Sequence, residues 1–296
     1  MPQEFRSEQN QDGDNNHQKN RQESRQEVTP KEGQSMSDIQ LTVIIPAAGR
    51  GARFGGDKLS EELGGRPVLL RTVEFFAKRD DVHQIIVAGP AESDGSVDAA
   101  FESRFGPALS FLGVKTVAGG AERTDSVRAA LHALDESCTH VAVHDAARPL
   151  IDDALMDRMV EAAAKTPAVI PGVSVRDTLK RVSSESRDLG ESADAIIDDI
   201  LGDAGRVSAD ARAVEATVNR DQLVAIQTPQ CFARDTLVQA YAQESLPQTD
   251  DAGILEAQGI EVLVVEGDPS NLKITTREDL VVAEALLKVR KPKPSF

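Results

Sequence analysis

A glycine-rich segment at the start of the apolar part of the chain combines residue types that bind phosphorylated ligands. It spans residues 46–58; its small residues are Ala47, Ala48 and Gly49, and its cations are Arg50, Arg53 and Lys58. Small residues let backbone N–H groups approach a phosphate or a base closely, and the cations supply positive charge. The segment matches neither a Walker A loop nor a dinucleotide fingerprint, so neither site is predicted. A plain turn between a strand and a helix is the alternative interpretation.

A second segment, residues 118–127, carries a pair of glycines followed by a hydroxyl side chain. Gly119 and Gly120 end an apolar run, and Ser126 lies where a helix is expected to begin. Ser126 could contact a ligand there. Alternatively, Asp125 or Ser126 could only cap the helix.

A third segment, residues 143–150, places a carboxylate directly after an apolar run. Asp145 could bind a metal ion or substrate hydroxyls, or could form only an ion pair with Arg148. Three polar residues further along the chain complete the set, namely Arg220, Thr228 and Lys273. Each alone is typical of a surface charge or a cap, but together they indicate one phosphate-rich site.

Short apolar runs alternate along the chain with segments of helical periodicity. The predicted strands are residues 41–45, 84–88, 114–117, 140–143, 168–170, 224–226 and 260–265. Apolar residues at i, i+3 and i+4 predict helices that include residues 68–77, 127–134 and 155–164. This alternation predicts an α/β fold with a doubly wound, mostly parallel, Rossmann-like sheet. Ligands bind such sheets beyond the carboxyl ends of the strands, where the three segments lie.

One region departs from this alternation. Residues 173–182 form an extended run, and residues 214–219 resemble its returning partner. A projecting β-hairpin arm is therefore predicted at 172–220, with a polar, acidic insertion at 183–213. Four apolar residues mark one short helix within that insertion, Ile196, Ile197, Ile200 and Leu201.

Composition limits the folded region and the partners. Residues 1–38 are almost wholly polar, so a disordered tail is expected there, followed by one domain at 39–290 and a short tail at 291–296. A formal net charge of -16, 3% aromatic residues and no tryptophan argue against binding to nucleic acid or to a membrane. Cys138 and Cys231 are expected to be buried thiols. No apolar stretch reaches the length of a membrane span, so a soluble, cytoplasmic protein is expected.

Seven motifs together carry a resemblance to a known family. AAGRGARF…DK, GGAERTDSV, VHDAARP, VRDTLKR, QTPQ, TDD and DPSNLKIT occur in the order found in 2-C-methyl-D-erythritol 4-phosphate cytidylyltransferases, which the chain resembles from about residue 41 to 288. The resemblance implies a nucleotidyltransferase domain that transfers CMP from CTP to 2-C-methyl-D-erythritol 4-phosphate. The products would be 4-diphosphocytidyl-2-C-methyl-D-erythritol and pyrophosphate, in the non-mevalonate isoprenoid pathway.

The resemblance also implies a role for each matching residue. The residues implied in CTP binding are Ala47, Ala48, Gly49, Gly120, Ser126 and Asp145. Those implied in binding the acceptor are Asp145, Arg148, Thr178, Arg220, Thr249 and Lys273. Arg53 and Lys58 would stabilise charge on the triphosphate, and Arg220 and Lys273 would aim the acceptor phosphate at the α-phosphorus. In the family the arm crosses to a twofold-related subunit, so a homodimer is implied, with Thr178 and Arg220 serving the neighbouring site.

The implied chemistry is consistent with the residue types present. A phosphate monoester is already anionic near neutral pH, so the attack needs no general base, and no Ser–His–Asp or Cys–His set is expected. Mg²⁺ is the expected cofactor, held mainly by the substrate phosphates and without a cage of protein ligands. One departure concerns the glycine-rich loop, where the family usually has Pro-Lys-Gln and this chain has Asp57, Lys58 and Leu59.

Three other functions are weighed against this one. A cytidylyltransferase for another polyol phosphate, such as ribitol 5-phosphate, shares two of the motifs, but residues 176–181 resemble the methylerythritol family better. A non-catalytic nucleotide-binding protein could use the same fold. Retention of Arg53, Lys58, Arg220 and Lys273 argues against it. A dehydrogenase is disfavoured because the dinucleotide fingerprint fails.

Overall fold

The computed structural model describes residues 39–49, 51, 53–188, 210–243, 246–247 and 250–290. Several predictions concern residues outside these ranges: the two tails at 1–38 and 291–296, Arg50, Thr249, and the middle of the arm insertion with its helix. The remaining predictions can be compared with the structure.

Twelve strands and seven helices are formed by the described residues. The strands are β1 (Leu41–Pro46), β2 (Glu62–Leu63), β3 (Arg66–Pro67), β4 (Val82–Gly89), β5 (Lys115–Ala118), β6 (His140–Val143), β7 (Ala168–Ser174), β8 (Leu179–Asp188), β9 (Asp210–Val218), β10 (Val224–Ile226), β11 (Gln230–Ala233) and β12 (Leu263–Glu266). The helices are α1 (Val68–Phe76), α2 (Ala99–Phe111), α3 (Arg123–Leu131), α4 (Asp153–Ala163), α5 (Arg234–Tyr241), α6 (Asp251–Glu256) and α7 (Arg277–Val289).

A mixed sheet forms the centre of the domain. Strands β5, β4, β1 and β6 are neighbours in that order and run parallel. Strand β11 is antiparallel to both β6 and β7, β10 is antiparallel to β7, and β12 is parallel to β7. The prediction of a mostly parallel α/β sheet is therefore confirmed, with β10 and β11 as its antiparallel members.

Strand β1 is buried on both faces, as its continuous apolar sequence predicts. Val43 and Ile45 belong to a hydrophobic cluster that includes residues of α1, α2 and α4. Ile44, which points to the opposite face, belongs to a second cluster with residues of α3, α5 and α6. Helices therefore cover both faces of the sheet, and burial of each such side chain stabilises the fold by roughly 1.5–3 kcal/mol.

The arm is a separate two-stranded sheet made of β8 and β9. The predicted extended run at 173–182 is interrupted, because β7 ends at Ser174 and β8 begins at Leu179. The paired strands also reach Asp188 and Asp210, so both ends of the predicted insertion at 183–213 belong to the hairpin. The sequence gives no apolar alternation there because most of these residues are exposed on both faces.

Two smaller expectations can also be checked. Cys138 and Cys231 are free and buried, as predicted. Among the described residues, no helix combines the length and apolar character needed to span a membrane.

Candidate active site

A pocket of about 180 Å³ lies at the carboxyl ends of the parallel strands. Eight of the predicted site residues line it: Ala47, Ala48, Gly49, Lys58, Gly120, Ser126, Asp145 and Lys273. Backbone hydrogen bonds fix its wall, since Ala47 N donates to Ala88 O (2.8 Å) and Gly119 N donates to Gly89 O (2.7 Å). The loops after β1 and β5 are thus both anchored to the end of β4.

The loop after β5 joins the start of α3 through hydrogen bonds to Ser126. Gly120 N donates to Ser126 Oγ (3.2 Å), and Ser126 Oγ donates to Glu122 O (3.2 Å). Asp125 accepts from Glu122 N in a capping box, so the capping role considered for Asp125 is confirmed. Ser126 both supports the loop and lines the pocket.

Gly119 has no room for a side chain. A methyl group there would lie 2.7 Å from Ser126 Oγ and 2.9 Å from both Ala48 Cβ and Gly89 O. We expect Gly119→Ala to lower the free energy of unfolding by about 1–3 kcal/mol, as overpacking does, and to lower kcat/KM because both pocket loops must shift. Gly49→Ala is the matched control for denaturation, since a methyl group on Gly49 would meet no atom within 4 Å. Equal stability of the two variants would contradict this account of the wall.

Asp145 is the most densely paired residue of the pocket. Its Oδ2 lies 3.0 Å from Arg148 Nε and 3.1 Å from Lys273 Nζ, and its Oδ1 lies 3.9 Å from Arg123 Nε. Burial by itself opposes ionisation, but Lys273, Arg148 and Arg123 hold the pKa of Asp145 well below its usual range. The carboxylate is therefore ionised at neutral pH. The predicted ion pair of Asp145 with Arg148 is confirmed, and because Asp145 also lines the pocket, its binding to a metal ion or to substrate hydroxyls stays a prediction.

His144 supports Asp145 from the protein interior. His144 Nε2 lies 3.1 Å from Arg148 O, and Nδ1 lies 3.2 Å from Thr228 Oγ1, which also accepts a hydrogen bond from Asp145 N (3.0 Å). A carbonyl can only accept, so Nε2 carries the proton and the Thr228 hydroxyl donates to Nδ1. Burial lowers the pKa of His144 to about 4, so the ring is neutral at neutral pH.

A pH dependence of stability follows from His144. The unfolded chain takes up a proton near the usual pKa of 6.5 and the folded chain only near about 4, so the unfolded state binds more protons between these values. We expect the free energy of unfolding to fall as the pH drops through this window, by on the order of 3 kcal/mol. His144→Asn should have a lower free energy of unfolding at pH 7, but this free energy should no longer fall by that amount between pH 6.5 and 4. Chemical denaturation across this range checks it, and an unchanged slope in the variant would contradict it.

Lys58 and Lys273 both line the pocket, and Lys58 contacts the backbone segment that carries Lys273. Ile274 N donates to Ala147 O (2.8 Å), which pins the segment beside the loop after β6, and Lys58 Nζ donates to Ile274 O (3.3 Å). Burial, and then repulsion by Lys273, lower the pKa of Lys58. Two neighbouring ammonium groups that repel each other form a site suited to an anion.

Asn271 fixes the segment that carries Lys273. Asn271 Nδ2 donates to Thr228 O (2.8 Å), and Asn271 O accepts from Arg148 Nη1 (2.8 Å) and from Gln227 Nε2 (3.3 Å). The QTPQ and DPSNLKIT motifs are therefore hydrogen-bonded to each other. Arg148 joins this network to Asp145.

The other predicted site residues that the structure describes do not line the pocket, although one of them, Arg148, is paired with the lining residue Asp145. Arg53 is exposed on the glycine-rich loop and does not line the pocket in the described structure. Thr178 and Arg220 lie at the base of the arm, where Arg220 Nη1 donates to Arg176 O, and neither contributes to the lining. One described chain therefore brings together the residues implied in CTP binding and only part of the set implied in acceptor binding.

The departures in the glycine-rich loop have a local explanation. The Asp57 carboxylate accepts a hydrogen bond from Ser60 and lies 3.4 Å from Arg104 Nη1, so it has partners other than Lys58. Leu59 is buried in the hydrophobic cluster and also lines the pocket. The loop thus keeps Lys58 in the pocket with a different pair of flanking residues.

Arg123 is a pocket residue that the sequence analysis missed. It lines the pocket and lies between Asp145 and Asp251, with Arg123 Nη1 2.7 Å from Asp251 Oδ2. Arg123 could have been predicted from its position, because it is a cation in the same segment as Gly120 and Ser126. Asp251 belongs to the TDD motif, but its pairing with Arg123 has no local sequence signal, because the two residues lie 128 positions apart in the chain.

The chain matches the sequence profile of one family, described as 2-C-methyl-D-erythritol 4-phosphate cytidylyltransferase, over residues 41–194 and 189–289. The chain belongs to this family. A cytidylyltransferase of this name from Frankia casuarinae is 43% identical over 251 residues, which cover 84% of this chain and 81% of the relative. One from Symbiobacterium thermophilum is 38% identical over 259 residues, which cover 84% of this chain and 93% of the relative.

Solved structures of cytidylyltransferases give the same result. The 2-C-methyl-D-erythritol 4-phosphate cytidylyltransferase of Thermus thermophilus superposes with a TM-score of 0.62 at 31% identity, covering 85% of this chain and 100% of that chain. The 4-diphosphocytidyl-2C-methyl-D-erythritol synthase of Anaerococcus prevotii superposes with a TM-score of 0.65 at 28% identity, covering 86% and 98%. The family and the fold class predicted from the sequence are confirmed.

Proposed function

We propose that the protein transfers CMP from CTP to 2-C-methyl-D-erythritol 4-phosphate, giving 4-diphosphocytidyl-2-C-methyl-D-erythritol and pyrophosphate. This chain belongs to the cytidylyltransferase family, and the observation that carries the proposal is its pocket, in which Lys58 and Lys273 lie close to Asp145. Such an arrangement suits a reaction in which two phosphate groups meet. The product would enter isoprenoid synthesis by the non-mevalonate route, and we place the enzyme in the cytoplasm.

CTP would occupy the wall formed by the loops after β1 and β5. Backbone groups of Ala47, Ala48 and Gly49 approach the pocket without long side chains, and Gly120 and Ser126 face them. This arrangement supports contacts to the cytosine and the ribose. The triphosphate would then extend along the glycine-rich loop towards Lys58, with Arg53 closing over it from its exposed position.

The chemical step would be an in-line displacement at the α-phosphorus. An oxygen of the acceptor phosphate forms a bond to that phosphorus while the bond to the β-phosphate oxygen breaks, and pyrophosphate leaves. No proton transfer is needed, because the attacking phosphate is already ionised. Lys58 and Lys273 would stabilise the charge that accumulates on the five-coordinate phosphorus, which is the electrostatic role of preorganised cations.

The acceptor would lie on the side of the pocket nearest Asp145 and Lys273. Asp145 is ionised and can accept hydrogen bonds from the hydroxyl groups of a polyol, while Arg148 holds it in place. Thr178, Arg220 and Thr249 would complete this half of the site. Arg220 and Lys273 would together orient the acceptor phosphate.

The position of Thr178 and Arg220 on the arm, outside the pocket of their own chain, supports a homodimer joined by the arms. An isolated two-stranded hairpin is marginally stable in water, and the β8–β9 arm exposes 40% of Val182 and 60% of Val214. A twofold dimer would cover both arms at once, and each arm would bring Thr178 and Arg220 to the pocket of the partner.

Mg²⁺, held mainly by the substrate phosphates, would supply positive charge that offsets the negative charge of the triphosphate. Among the described residues, no group of three or more His, Cys, Asp or Glu side chains could hold a metal ion. Asp145 is engaged by cations, so the donor set fits a metal held mainly by substrate phosphates.

Pyrophosphate release tests the proposal. Purified protein, CTP and Mg²⁺ should release pyrophosphate with 2-C-methyl-D-erythritol 4-phosphate, and much more slowly with ribitol 5-phosphate. Omitting each component in turn gives the controls. A preference for ribitol 5-phosphate would instead support the alternative polyol phosphate enzyme, and no release with either acceptor would contradict the proposal.

A further inference from the structure

A buried ion pair joins the pocket to helix α6. Arg123 Nη1 lies 2.7 Å from Asp251 Oδ2, as a close charge contact without aligned hydrogen-bond geometry, and Arg123 Nε lies 3.9 Å from Asp145 Oδ1. Asp251 is completely buried and accepts a hydrogen bond from the Tyr241 hydroxyl through Oδ1. One guanidinium group therefore lies between two carboxylates, one in the interior and one in the pocket.

The charge distribution around Asp145 depends on where Arg123 lies. Asp145 Oδ2 is already shared by Arg148 and Lys273 at 3.0 and 3.1 Å, whereas Arg123 stays at 3.9 Å from Oδ1. Asp251 supplies the nearer counter-charge for Arg123. If that charge were lost, Asp145 would be the nearest remaining counter-ion for Arg123, and a closer approach would weaken the contact of Asp145 with Lys273.

A purely structural role explains the pair less well. Replacing a buried ion pair by apolar residues is often neutral or stabilising, so such a pair is weak support for a role in stability. Val127 of α3 and Leu255 of α6 already belong to one hydrophobic cluster on this face of the sheet. The side chain of Arg123 is also 29% exposed, and it lines the pocket.

We propose that Asp251 is a positioning residue for the active site. Its carboxylate holds Arg123 at the pocket wall, so that Asp145 stays paired with Lys273 and Arg148. This inference rests on the proposed function, because its readout is cytidylyl transfer. Asp251 acts through Arg123 and is not itself expected to touch a substrate.

A double-mutant cycle tests the proposal. The four proteins are the wild type, Asp251→Asn, Arg123→Gln and the double variant, each assayed for kcat and KM with CTP and with the acceptor, and for thermal unfolding. Asp251→Asn keeps the size of the side chain and an oxygen for Tyr241, and we expect kcat/KM to fall by about 10-fold or more, as small misplacements of site residues do. In the double variant, the activity should be no lower than in Arg123→Gln alone, because Asp251 then has no partner through which to act.

Tyr241→Phe is the matched control for stability. It removes the other contact of Asp251 and keeps the ion pair, so the melting temperature should fall while kcat/KM stays near the wild-type value. If Asp251→Asn cannot be purified in folded form, Asp251→Ser, which also removes the carboxylate without adding volume, replaces it in the same cycle with the same expectations.

The outcomes separate this inference from the proposed function. Wild-type activity in Asp251→Asn, or a loss that adds in full to that of Arg123→Gln, would overturn the positioning role while leaving the cytidylyltransferase proposal intact. An inactive wild type would instead overturn the proposed function. A loss in Asp251→Asn that vanishes in the Arg123→Gln background would support both.

Discussion

Lys58→Ala should lower kcat for cytidylyl transfer by about 10²–10³-fold while changing the KM for CTP far less. The Lys58 ammonium lies in the pocket wall, held by Ile274 O at 3.3 Å and repelled by Lys273. Charge on the α-phosphate grows as the fifth bond forms, so this cation is worth more in the transition state than in the bound substrate. Steady-state kinetics with each substrate varied in turn measures the two parameters.

An exposed lysine provides the control for Lys58. Lys78 lies after α1, near the start of β4 and therefore at the amino end of the parallel strands. Lys78→Ala removes the same charge and should leave both kinetic parameters near their wild-type values. If Lys58→Ala kept the wild-type kcat and only raised the KM for CTP, Lys58 would act in ground-state binding and the assigned role would be wrong.

Arg220→Ala should also be nearly inactive, and its defect should be complemented by a second inactive variant. The proposed dimer builds each site from Lys58 of one chain and Arg220 of the other. Mixing Lys58→Ala and Arg220→Ala chains by co-refolding then gives mixed dimers in which one site has both defects and the other has neither. With random pairing, about a quarter of all sites should be intact, and activity should recover towards that fraction.

Arg212→Ala is the matched control on the same arm. Arg212 is an exposed residue of β9, paired with Ser186, and its replacement should leave activity unchanged. If mixed dimers of Lys58→Ala and Arg220→Ala form and no activity returns, Arg220 acts within its own chain. The arm would then serve only for dimerisation, and the shared-site proposal would be wrong.

The sheet and most of the pocket could be predicted because their signals are local. A continuous apolar run such as Leu41–Pro46 removes all its apolar side chains from water only when both faces of the strand are buried. Such a strand therefore lies at the centre of a sheet. Ala47 directly follows β1 and Asp145 lies two residues beyond the end of β6, so their position at one edge of the sheet follows from the parallel strand order.

The parts that could not be predicted depend on contacts between distant segments. Arg123 and Asp251 meet through the packing of α3 and α6, and neither segment alone indicates the pair. The sequence gives no sign that the two ring nitrogens of His144 form hydrogen bonds with Thr228 and Arg148 O, because these contacts arise only in the folded chain. The limits of the arm strands were missed because a strand exposed on both faces lacks an apolar period. The family resemblance implies that Thr178 and Arg220 serve a neighbouring subunit, but the arm residues by themselves give no signal of a second chain.

The fate of the individual phosphorus atoms of CTP tests the central claim most directly. CTP labelled at the α-phosphorus should transfer its label to the acceptor and give a product in which two phosphorus atoms form a diphosphate linkage. CTP labelled at the γ-phosphorus should release all of its label as pyrophosphate. Transfer of the γ-label to the acceptor would identify a kinase, and release of the α-label as free CMP would identify a hydrolase. Either result would contradict the cytidylyl transfer proposed for this pocket.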